Sequence, residues 1–225
     1  MAVCLGGFAI YAQDYYRADE TAAKAMETTS AVNVYTQDNV VVFRPQNPVA
    51  GFVFYPGGKV EHTAYAPLMK QLAENDILCL ITEMPFNLAV FDMDAAQPAM
   101  EMFADIENWY IGGHSLGGAM AAGFAAENSG DISGLVLLAA YSTADLTATD
   151  IDVLSVYGGN DKVLNMEKYD QYHTNLPQDT QEIVISGGNH AQFGSYGPQD
   201  GDGTATITAE NQLTQTADAI IDMIK

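Results

Sequence analysis

Ser115 stands in the run Gly113-His114-Ser115-Leu116-Gly117, followed by Gly118 and Ala119. A serine with glycines two residues away on both sides is the pattern of a nucleophile on a sharp strand-to-helix turn. Such a turn holds the serine backbone in a strained conformation, and side chains at the glycine positions would collide across it. The helix that follows aims free N–H groups and a positive dipole end at the place where an oxyanion would form. The chemistry open to this serine is attack on an acyl carbon. Chance alone produces the five-residue pattern about 0.06 times in a chain of this composition. Its weight therefore comes from its setting, after the apolar run Trp109 to Gly112 and at the start of a helical stretch.

A serine hydroxyl is a poor nucleophile until a base takes its proton and a third group orients that base. For an elbow serine, the acid and then the histidine are expected later in the chain, each on a loop after a strand. Asp161 follows the run Val153 to Tyr157 in Gly158-Gly159-Asn160-Asp161, and His190 follows Glu182 to Ile185 in Ser186-Gly187-Gly188-Asn189-His190. These two are the expected acid and base. Asp145, after Leu135 to Ala139, is the rival for the acid. Among the other histidines, His114 and His173 read as structural or solvated, and His62 precedes the serine. Oxyanion donors are expected at the N–H of Leu116 and in the turn Pro56-Gly57-Gly58-Lys59, with Gly58 preferred to Lys59.

These loops need a frame. Val32-Tyr35 and Val40-Phe43 read as a hairpin, and Gly51-Tyr55 as a buried strand running into the glycine turn. Strands are predicted at Ile77-Thr82, Trp109-Gly112, Leu135-Ala139, Val153-Tyr157 and Glu182-Ile185. Helices are predicted over Asp14 to Thr29, Thr63 to Glu74, Leu116 to Glu127, Val163 to His173 and Glu210 to Ile224, the last capped by Thr208. Strands alternating with helices predict the α/β class, with a mostly parallel sheet covered on both faces. Residues 31–225 form the expected single catalytic domain, preceded by an N-terminal segment, residues 1–30.

The chain has 225 residues, 48% of them hydrophobic, which is globular composition. Its formal charge of −21, from 8 Lys+Arg against 29 Asp+Glu, disfavours nucleic acid and anionic lipid as partners. Cys4 and Cys79 make neither a disulfide framework nor a zinc site. Asp200-Gly201-Asp202-Gly203-Thr204 starts like a calcium loop but has Ala205 and Asn211 where glycine and glutamate belong, so it reads as a flexible acidic loop. No metal or cofactor is expected.

Taken with these residues, the chain resembles the α/β-hydrolase superfamily, and within it a compact bacterial group related to dienelactone hydrolases. The resemblance runs from Tyr15-Tyr16-Arg17-Ala18-Asp19-Glu20, through Phe54-Tyr55-Pro56-Gly57-Gly58-Lys59-Val60 and the elbow, to Gly187-Gly188-Asn189-His190. It implies ester hydrolysis through an acyl-enzyme, with a small-molecule ester as the partner. Dienelactone hydrolases themselves use cysteine where this chain has Ser115, which separates it from that activity. The short stretch between Ala139 and Val153 leaves no room for a cap domain, so Phe86, Tyr141 and Phe193 are expected to line an open substrate site. Group members often carry a hydrophobic anchor before the Asp-Tyr-Tyr stretch. The apolar run Ala2 to Ala12 thus reads as the remnant of a membrane anchor or as the start of a helix packed on the domain. Localisation stays open. Acyl transfer, thioester or peptide cleavage by the same residues, and a non-catalytic binding module, are the competing functions.

Overall fold

The computed structural model describes residues 14–225. The reading of Ala2 to Ala12 as an anchor remnant lies outside them. Among the described residues the strands are β1 (Val32–Gln37), β2 (Val40–Pro45), β3 (Ala50–Tyr55), β4 (Ile77–Thr82), β5 (Trp109–His114), β6 (Gly134–Leu138), β7 (Asp152–Gly158) and β8 (Gln181–Ile185). They form one sheet in the order β1-β2-β4-β3-β5-β6-β7-β8. β2 runs antiparallel to both β1 and β4, and every other neighbouring pair is parallel. The predicted α/β class, in one domain, is what the chain adopts.

The helices are α1 (Glu20–Ala25), α2 (Ala66–Ala73), α3 (Ala96–Glu101), α4 (Leu116–Glu127), α5 (Met166–Tyr172) and α6 (Ala209–Ile224). The central strands carry almost uninterrupted apolar runs because both of their faces are covered. Alternate residues of one strand serve opposite layers. Phe52 and Phe54 of β3 join one core with Leu68 and Leu72 of α2 and Leu213 and Ile220 of α6. Val53 and Tyr55 join the other, with Ala121, Ala122 and Phe124 of α4. Full burial of a Leu or Phe side chain contributes about 1.5–3 kcal/mol. A register slip of one residue would turn both layers inside out.

Three elements differ from expectation. The predicted helix from Asp14 to Thr29 shrinks to α1, because Asp19 caps it by accepting from the Thr21 and Ala22 N–H groups. Before that cap the chain is extended, with the Tyr16 N–H bonded to the Lys59 carbonyl and the Glu61 N–H bonded to the Tyr16 carbonyl. Residues 14–30 are thus packed against the domain; Ala22 is fully buried in the α1 contact. The predicted Val163–His173 helix begins only at Met166, where the Asn165 side chain caps it. Helix α3 had no signal beyond a short Ala-rich run containing Pro98. Thr208 does cap α6, accepting from the Asn211 N–H. No helix among the described residues is long and apolar enough to cross a membrane.

Candidate active site

Strand β5 ends at His114 and α4 begins at Leu116, which leaves Ser115 alone at the turn with φ 53° and ψ −122°. A left-handed φ on a residue with a Cβ costs of order 1–3 kcal/mol and persists only where its surroundings enforce it. Here the Ser115 N–H is held by the Leu138 carbonyl at 2.9 Å. The flanking glycines are needed for space. A Cβ on Gly113 would lie 2.5 Å from the Gly117 carbonyl carbon, and one on Gly117 would lie 2.2 Å from the Tyr55 carbonyl oxygen. The elbow can therefore form only where both positions lack a side chain.

Asp161 and His190 meet across the C-terminal ends of β7 and β8. Nδ1 of His190 lies 2.8 Å from Oδ2 of Asp161, and both side chains are only 1% exposed. The other carboxylate oxygen, Oδ1, accepts from the Val163 and Leu164 N–H groups, each at 2.8 Å. With the carboxylate so engaged, Oδ2 accepts a hydrogen bond from Nδ1–H, which leaves Nε2 as the ring's acceptor. Nε2 is buried and has no hydrogen-bond partner, so no bond joins it to Ser115 in this state. Ser115 and His190 nevertheless line one cavity of about 330 Å³, with Leu116, Met120, Tyr141 and Leu164 among its other walls. A larger groove of about 910 Å³ passes over Asn189 and Gln192 but is lined by neither Ser115 nor His190. The smaller cavity is the one that matters to the serine.

The loops carrying Asp161 and His190 are fastened by residues with no obvious sequence signal. Asp202 accepts from the Ala191 N–H at 2.9 Å with Oδ2, and from the Gly203 N–H at 2.7 Å with Oδ1. The acidic segment expected to be a flexible loop is thus tied to the residue after His190. Among the described residues no cluster of three or more His, Cys, Asp or Glu could hold a metal ion. Gln212 of α6, fully buried, accepts from the Asn189 N–H and donates to the Asn189 carbonyl. Neither could be found from spacing alone, since both act on residues distant in the chain.

Of the remaining expected residues, Gly58 sits directly against Leu116, where an added Cβ would come within 3.1 Å of Leu116 Cδ2. The N–H of Leu116 belongs to the first turn of α4, which has no acceptor within the helix. The Lys59 N–H is already bonded to the Asn87 carbonyl at 2.8 Å, which removes it as the alternative donor. Tyr141 lines the cavity and stacks on Tyr172, ring centroids 5.4 Å apart. Phe193 does not line it. This ring is fully buried one turn beyond His190 and packs on His114, because the short helical turn after His190 points it into the core. Phe86 does not line it either. Its left-handed backbone, φ 58°, places the ring at the surface, edge-on to Phe91. Asp145 is exposed and bonds Thr147 instead of a histidine.

His114 is buried with Tyr65, and burial pushes it well below the ordinary histidine value, helped by the nearby His190. His62 is lowered by burial too, and His173 lies 3.8 Å from Glu182 at the surface.

Comparison with known proteins shows the same fold elsewhere. TT1662 from Thermus thermophilus has the same fold at 13% identity, with a TM-score of 0.63 over 86% of this chain and 98% of that one. A predicted CIB-like hydrolase from Thermoplasma acidophilum has a TM-score of 0.57 at 12% identity, over 85% of this chain and 99% of that one. No curated protein sequence matches the chain. The sequence pattern described as the alpha/beta hydrolase family matches residues 51–214, from the strand before the glycine turn to the last helix, and by that match the chain belongs to the alpha/beta hydrolase family.

Proposed function

We propose that the protein is a serine carboxylesterase for small or short-acyl esters, a serine-nucleophile relative of the dienelactone hydrolases. Ser115 Oγ attacks the ester carbonyl while His190 Nε2 takes its proton, and Asp161 stabilises the imidazolium so formed. The tetrahedral oxyanion accepts from the Leu116 and Gly58 N–H groups. His190 then returns the proton to the departing alkoxide, which leaves an acyl group on Ser115. Water, deprotonated by the same Nε2, hydrolyses that acyl-enzyme and restores the serine.

One observation carries the reading. A histidine locked to a buried carboxylate presents an unpartnered Nε2 in the same small cavity that holds a strained serine. In a resting enzyme the serine–imidazole bond is often long and tightens only around substrate. A cavity of about 330 Å³ with apolar walls suits a short acyl or alkyl group.

The test is labelling by a fluorophosphonate together with turnover of p-nitrophenyl esters of graded acyl length. Labelling at Ser115 is expected, with the highest kcat/KM at about two to four acyl carbons. Ser115→Ala should lose the label and at least ~10⁴-fold in kcat. Equal turnover by wild type and Ser115→Ala would end the proposal.

A further inference from the structure

The proposed chemistry leaves one buried polar pair unused. His114, the residue before the serine, is 1% exposed, and its Nδ1 lies 2.9 Å from the Tyr65 hydroxyl. Tyr65 is itself fully buried, and its oxygen accepts from the Gly57 N–H at 3.0 Å. The Gly57 N–H can only donate, so it occupies a lone pair of the phenol oxygen. The phenol then serves His114 Nδ1 in either neutral tautomer, donating its proton to a bare Nδ1 or accepting from Nδ1–H with its other lone pair. Burial favours the neutral form, and the proximity of His190 works in the same direction.

The pair touches both halves of the proposed machinery. On one side the glycine turn is seated on it, since a Cβ on Gly57 would lie 2.7 Å from Tyr65 Oη and 2.8 Å from His114 Nδ1. The residue after Gly57 is the proposed oxyanion donor. On the other side the His114 ring lies against the His190 ring, centroids 4.4 Å apart and planes tilted by 48°. Phe193 packs on His114 as well, with centroids 5.7 Å apart.

We propose that Tyr65 and His114 are positioning residues that hold the oxyanion turn and the His190 imidazole at a fixed separation across the elbow. The inference rests on the esterase reading of Ser115. It follows from what would be lost. Without the hydroxyl, the Gly57 N–H and His114 Nδ1 are both buried without partners, and the turn can leave its place. Donors aimed at a developing oxyanion act in the transition state more than on bound substrate. Misplacing them should therefore lower kcat and leave KM nearly unchanged. A neutral His114 also keeps a second positive charge away from His190 when the imidazolium forms.

The experiment measures kcat and KM for p-nitrophenyl acetate in wild type, Tyr65→Phe, His114→Leu, His114→Asn and the double variant Tyr65→Phe/His114→Leu, with Ser115→Ala as reference. Circular dichroism and thermal melting check the fold of each. Tyr65→Phe and His114→Leu should each lose about 10- to 100-fold in kcat, with KM within about threefold of wild type. The double variant should be no worse than the poorer single one, because either change breaks the same chain. Asparagine can supply an acceptor near the place of Nδ1, so His114→Asn should recover to within about fivefold of wild type. Unchanged kcat in folded Tyr65→Phe, additive losses, or asparagine no better than leucine would each overturn the inference. If Tyr65→Phe does not fold, the leucine–asparagine contrast at His114 decides alone. Full turnover by Ser115→Ala would instead remove the esterase reading beneath it.

Discussion

The loops after β7 and β8 and the excursion between β4 and β5 both lie at the end of the sheet that carries Ser115, yet they are built on opposite terms. In the first pair, Asp161 accepts two backbone N–H groups besides its histidine, and Asp202 and Gln212 fasten the backbone on either side of His190. In the excursion, Phe86 and Asn87 occupy the left-handed region in succession, and Phe86, Val90 and Phe91 are 55%, 50% and 52% exposed. The difference follows from what each carries. A buried carboxylate is tolerable only when its oxygens are paired, and here both oxygens of Asp161 and the backbone on either side of His190 are engaged, with the Nε2 of His190 left unpartnered. Apolar rings at a surface impose no such demand. Chemistry and exposed aromatic surface are thus divided between the two sides of the elbow, and that division can be tested.

The largest effect is expected at the hydrogen-bonded side. Asp161→Asn should lower kcat by about 10³- to 10⁴-fold, because an amide in place of the carboxylate lets the imidazole take the wrong tautomer. Asp145→Asn, at the exposed aspartate, should stay within about twofold in kcat, with the urea midpoint nearly unchanged. Steady-state kinetics and urea unfolding measure both. Comparable losses in the two variants would erase the distinction between a built carboxylate and a surface one.

A middle-sized effect is expected in the pH dependence of stability. His114 has a folded value well below its ordinary 6.5, so below that pH the unfolded chain takes up a proton that the native chain refuses. Stability should therefore be complete above about pH 6.5 and fall as the pH drops, by up to ~1.4 kcal/mol per pH unit from this group. Urea midpoints between pH 7.5 and 5.5 should show a shallower slope in His114→Asn than in wild type. His62, lowered in the same direction, contributes in both proteins and does not cancel the difference. Parallel slopes would mean that His114 titrates normally in the folded protein.

The smallest effect is expected at the exposed aromatics. Phe86→Ser should change kcat/KM for p-nitrophenyl acetate by less than about threefold, because the ring lies outside the cavity at Ser115. A loss beyond tenfold would place the excursion within the substrate site and undo the contrast with the β7 and β8 loops.

How much of this was legible from residues alone depends on the range of the contacts concerned. Glycine spacing at Ser115, the apolar strand runs and the cap at Thr208 are local features, and each matched the element it implied. Alanine-rich sequence favours helix from Asp14 onward, but the pairing of Tyr16 with Lys59 and Glu61 outweighs that preference up to Asp19. Phe193 faces the core rather than the cavity, because a ring after a strand end can face either, and only its packing on His114 distinguishes the two.

Sequence by itself determined the strand order along the chain and most of the helices, the strained turn at Ser115 and the loops that could carry an acid and a histidine, because periodicity, turn chemistry and steric exclusion act over a few residues. Only the tertiary structure brought Asp161 rather than Asp145 to His190, engaged Lys59 with Asn87, and joined Tyr65 to His114 across 49 positions. Those outcomes turn on hydrogen-bond directions and burial, which exist only once distant strand ends lie side by side.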